Sequence, residues 1–164
     1  MNIIFGYKTG PSCGFFDKDD GGFSVEVLSN GIIEYKTYLF DNKVKSKENY
    51  KINDKNLNKI KNILDTYSDE INSIPTNLDN GSCDGDINLF IFNDKEIIAW
   101  NIEYSDIKKV QKKNPDYYEE YYENIKYENI VIYIFNDIVK VLRRVGIKLD
   151  LNSIKLMNKI KVSD

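Results

Sequence analysis

The 164-residue sequence predicts an α+β fold, an antiparallel sheet of hairpins with helices packed on one face as a two-layer sandwich. Three observations predict it. Two stretches, 23–40 and 87–104, alternate or run apolar around tight-turn residues, the pattern of β-hairpins. Two others, starting at Asp54 and Asn114, repeat their apolar residues at helical period. No linker-like composition separates hairpins from helices, so residues 1–164 are expected to form one domain around one core.

Taken in order, NIIFGY at 2–7 is a short apolar run and a plausible first strand. In FSVEVLSNGIIEYKTYLF, 23–40, Phe23, Val25 and Val27 alternate with Ser24, Glu26 and Leu28. Asn30-Gly31 then supplies the positive φ angles of a two-residue turn. Asp54 reads as a helix cap, followed by Leu57, Ile60, Leu64, Tyr67 and Ile71 at helical spacing until Pro75 ends the run. INLFIFNDKEIIAWNIEY, 87–104, is a second hairpin turning at Asn93-Asp94-Lys95, with Trp100 alternating with Ile98 and Ile102. Asn114-Pro115-Asp116 opens another helix. From Tyr127, the residues Ile130, Val131, Ile134, Ile138, Val141 and Leu142 keep helical period to Gly146, which is placed to cap the end. The residues after Asp150 fit either a helix or a strand.

Composition narrows the chemistry. Hydrophobic residues make up 41% and charged residues 30% of the chain, as expected of a folded globular protein rather than a disordered one. Ala99 is the only alanine, and Arg143 and Arg144 are the only arginines. This bias follows AT-rich codons. The net charge of −3 offers no global attraction for nucleic acid. There is no histidine, which removes the commonest base near neutral pH, the Ser-His and Cys-His pairs and imidazole metal ligands. Cys13 and Cys83 are too few for a thiolate zinc site, and are read as free thiols. No metal centre and no cofactor is implied. The amino terminus lacks the basic region of a signal peptide, and no apolar run is long enough to span a bilayer. The expected location is the cytoplasm, with no membrane partner.

Two stretches stand out chemically. DNGSCDGD, 79–86, gathers Asp79, Asp84 and Asp86 in one acidic turn. An EF-hand loop starting at Asp84 would need Gly at the sixth place and Glu at the twelfth, but finds Leu89 and Lys95. Started at Asp17, it finds Gly22 correctly but Leu28 at the twelfth. Asp84, Asp86 and Asn88 still alternate onto one strand face, where a looser divalent site or a carboxylate pair could form. The simpler reading is a turn rich in Asp, Asn and Gly that leads into a strand.

In PDYYEEYYENIKY, Tyr117, Tyr118, Tyr121 and Tyr122 are expected to share a helix face with Glu119, Glu120 and Glu123 beside them. That face is out of phase with the apolar stripe from Tyr127, which predicts a bend near Lys126. The tyrosines then either edge the core or face a partner. Carboxylates beside them repel phosphate, against single-stranded nucleic acid.

The run GSCDGDINLFIFNDKEIIAWNI, followed by an apolar helix ending LRRVGI, resembles small single-domain bacterial proteins of unknown function. Some of these are similar to immunity proteins encoded beside secreted toxins. The resemblance implies a non-enzymatic protein-binding domain with a basic, toxin-like protein partner. The alternative is a carboxylate- or divalent-metal-dependent enzyme using Asp84 and Asp86.

Overall fold

In a computed structural model, the chain is described over residues 2–10, 21–78 and 85–156. Asp79, Asp84, Cys13 and Cys83 lie outside these residues. Seven strands form one sheet: β1 (Ile3–Thr9), β2 (Phe23–Leu28), β3 (Ile32–Tyr38), β4 (Val44–Lys51), β5 (Asn77–Leu78), β6 (Ile87–Phe92) and β7 (Lys95–Trp100), in the order β4-β3-β2-β1-β6-β7-β5. All neighbours are antiparallel except β5, which lies parallel to β7. The α+β class is as the periodicities predict.

The pleat divides the sheet into two chemically different faces. Phe5, Tyr7, Val25, Val27, Ile33, Phe90, Phe92 and Ile97 are buried on one side. Helix α4 (Pro115–Arg144) lies against it, the Phe135 ring meeting those of Phe5, Tyr7 and Phe90 at 6.3, 5.0 and 5.6 Å. Helix α1 (Asp54–Thr66) adds Leu57, Ile60 and Leu64 to the same core. On the opposite face, Lys36 bridges Glu26 and Glu34 at 2.9 Å each, and Lys47 reaches Glu34 at 2.7 Å. The β6–β7 half of that face instead carries Leu89, Ile91, Ile98 and Trp100, Ile98 being 40% exposed.

Several local details differ from expectation. The cap of α1 is Asn53, whose side chain accepts the Asn56 N–H at 2.9 Å; Asp54 is the first helical residue and places its charge in the first turn. The run to Pro75 breaks at Tyr67 into α1 and a short α2 (Ser68–Ser73). Residues 151–156 belong to a hairpin, β8 (Ile147–Asp150) and β9 (Ser153–Leu156), turned by Asn152 at φ 60°. Gly146 precedes it at φ 88°, as a helix-terminating glycine should.

The two helical stripes of the 115–144 region lie on two helical segments that join across a kink. The bend is at Tyr121 (φ −114°, ψ 16°) rather than near Lys126. The reason is mechanical. Before the bend the helix packs on α3 (Ile107–Lys113), and beyond it on the sheet, with Ile125 the first buried residue of α4.

Candidate functional site

The tyrosine-rich segment and the acidic turn occupy separate places. Helix α3 begins at Asp106, whose carboxylate accepts the Lys109 N–H at 3.2 Å, and ends with Lys112 and Lys113. Asn114 then caps α4, with Pro115 at the position where no N–H is missed. This turn folds α3 back on the first part of α4 as a helical arm. Neither α3 nor residues 115–124 contribute a buried side chain. None of the four tyrosines joins the core cluster or packs on it.

The expected single tyrosine face is in fact two pairs at i,i+4. The Tyr117 and Tyr121 rings lie 4.8 Å apart, and those of Tyr118 and Tyr122 5.2 Å apart. Tyr117 turns into a groove of about 290 Å³ against α3, with Val110, Lys113, Glu103 and Glu128 in its walls. Burial first, then the charges of Glu128 and Glu103, raises its hydroxyl pKa. In the Tyr118–Tyr122 pair, Tyr118 is half-buried and Tyr122 is 38% exposed, among exposed Glu119, Glu120 and Glu123. This outer side offers aromatic area bordered by carboxylates, with Lys126 held by Glu123 at 3.4 Å.

The acidic turn is represented by Asp86. Gly85 before it stands at φ 154°, and a β-carbon there would fall 1.7 Å from Oδ1 of Asn101. That same oxygen accepts the Asp86 N–H at 2.8 Å. Glycine at position 85 is thus required by how the chain enters β6 beside Asn101. Asp86 precedes the strand, while Asn88 lies within it, buried on the helix-side face. The Tyr7 hydroxyl donates to Asn88 Oδ1 at 2.6 Å and accepts the Asn152 N–H at 2.7 Å; Asn152 Nδ2 donates to Asp86 at 3.3 Å. Burial, with a smaller push from Asp86, raises the Tyr7 pKa to about 12 against the Asn152 hydrogen bond, so this hydroxyl keeps its proton.

Asp86 and Asn152 form one wall of a cavity of about 530 Å³ at the end of the sheet. Thr9, Phe23, Tyr35 and Thr37 make its floor, and Lys45 lies on its far side. These residues form no sequence motif because six separated segments bring them together. One signal was visible: Asn88 is the single polar residue inside the apolar run INLFIF. Among the described residues, no group of three or more His, Cys, Asp or Glu is placed to hold a metal ion. No helix among them is long and apolar enough to cross a membrane.

Fold and surfaces together define an α+β sandwich that carries a projecting helical arm and a polar end cavity. No protein-family model matches the chain, and no curated protein sequence matches it.

Proposed function

We propose that the protein is a non-enzymatic protein-binding domain that takes a basic partner on the outer side of its helical arm, as an immunity protein would cover the basic cleft of a toxin. One observation carries this reading. Residues 107–124 add no buried side chain to the fold, yet they present an edge-to-face tyrosine pair beside exposed carboxylates. Aromatic area with a wet hydroxyl is the usual anchor of an interface, and surrounding charge steers the partner. The arm therefore has the composition of a contact surface without a structural need for it. The rival enzyme reading requires a second carboxylate beside Asp86, and Asp84 lies outside the described residues.

The test is co-expression with the products of neighbouring genes, followed by calorimetric titration of any stable complex. Tyr118→Ala with Tyr122→Ala is expected to weaken binding by more than ~2 kcal/mol, about thirtyfold, with an unchanged circular dichroism spectrum. Glu119→Gln with Glu123→Gln should mainly slow association and flatten its salt dependence. A complex indifferent to the tyrosine pair, or no complex together with turnover in a hydrolase or nuclease screen, overturns the reading.

A further inference from the structure

We propose that the cavity at the end of the sheet binds a linear small molecule ending in a primary ammonium, such as a short peptide in its zwitterionic form, with the ammonium on Asp86. The site is independent of the arm. Its lining crosses the sheet as a row, from Lys45 on β4 through Thr37, Phe23 and Thr9 to Asp86 at the start of β6, and the Phe23 N–H donates to Thr9 Oγ1 at 3.1 Å. Four interstrand spacings of ~4.8 Å make that row about 19 Å long. It favours an extended ligand over a compact one, and about 530 Å³ lies in the range of ordinary small-molecule sites.

The acidic end is held in place before any ligand arrives. Asn101 fixes the Asp86 backbone, and Asn152, itself anchored on the Tyr7 hydroxyl, reaches one carboxylate oxygen at 3.3 Å. Among the described residues the other oxygen accepts no hydrogen bond. A carboxylate with spare acceptor capacity wants a donor, and an ammonium supplies three. The Phe23 and Tyr35 rings, 6.3 Å apart, offer an apolar surface for the ligand body.

The test is titration of the full chain, uniformly 15N-labelled, with trialanine and separately with N-acetyl-trialanine. Trialanine should produce saturable shifts of the Gly10, Phe23 and Asn152 amide signals. The acetylated peptide, which lacks the ammonium, should bind at least about tenfold more weakly, as loss of one charge-assisted hydrogen bond implies. Asp86→Asn should weaken trialanine by a similar factor while its remaining spectrum overlays the wild type. Equal binding of the two peptides, an unaffected Asp86→Asn protein, or no saturable shift up to the solubility of trialanine overturns the proposal. The peptide comparison needs no mutation, so it decides the matter even if Asp86→Asn fails to fold.

Discussion

Tyr7 shows how a single hydroxyl ties the first strand to the last hairpin. It sits between Asn88 and the Asn152 backbone, residues 81 and 145 positions away along the chain. Tyr7→Phe would keep the ring contacts with Phe90 and Phe135 but leave buried Asn88 Oδ1 and the Asn152 N–H without their partner. The expected loss is about 1–3 kcal/mol in urea unfolding. The same residue predicts an alkaline limit. Its folded pKa, about 12, lies above the model-compound value of 10.0. The unfolded chain therefore loses this proton first as pH rises. The stabilisation is complete below pH 10.0 and is lost as pH climbs through about 12. Burial raises Tyr35 and Tyr67 too, so the whole chain weakens in alkali. Stability measured across this window in wild type and Tyr7→Phe isolates the Tyr7 share: the mutant's slope should be shallower. Identical slopes would mean that the hydroxyl titrates alike in both states.

At the scale of elements, α4 is two structures on one backbone. Its last twenty residues, 125–144, bury Ile125, Val131, Ile134, Phe135, Ile138 and Leu142, and Phe135 alone touches three aromatic rings of the sheet. Its first ten bury nothing. Substitutions should divide in the same way. Phe135→Ala is expected to cost about 3–5 kcal/mol, as loss of a buried aromatic side chain does. Tyr118→Ala with Tyr122→Ala should cost less than ~1 kcal/mol, in the range of surface changes. Thermal or urea unfolding of the two proteins checks this directly. A tyrosine double mutant as damaged as Phe135→Ala would return the arm to the core and remove it as a partner surface.

These elements also show what the chain discloses before folding. Both central hairpins, the Asn114-Pro115 start and the Gly146 stop were legible because each depends on residues within a few positions. The strand Val44–Lys51 was not. Its sequence, VKSKENYK, buries only Tyr50, half-buries Glu48 and Asn49 and exposes the rest at the sheet's edge, so it carries no apolar alternation to detect. Its lysines suit an edge, where they discourage pairing with another chain. The two-residue β5 is too short for any pattern, and α3 buries nothing that would mark a stripe. The bend was foreseen from the phase change in α4, but it falls at Tyr121, about a turn and a half before Lys126. Of the candidate sites, the tyrosine cluster was legible as a local run, whereas the cavity around Asp86 exists only because Thr9, Tyr35 and Asn152 are brought to it.

Over the whole molecule, the β8–β9 hairpin closes the structure that β1 begins. Ile147 and Leu149 are buried, and the hairpin packs along the end of α4 while its turn reaches Tyr7. Fully burying two such side chains contributes about 1.5–3 kcal/mol each. Against a typical domain stability of about 5–15 kcal/mol, that is a large share. A chain ending at Gly146 is therefore expected to unfold at a much lower urea concentration, or to lose its cooperative transition and bind a hydrophobic dye. Leu149→Ala makes the milder version of the same test, with an expected cost of about 2–5 kcal/mol and the rest of the hairpin still present. The two variants should rank in that order of severity. If the shortened chain instead kept a cooperative transition near that of the full chain, β8–β9 would be an appendage. The core would then be complete with the seven-stranded sheet, α1 and α4, and the wall of the end cavity that Asn152 supplies would rest on an element the fold can spare.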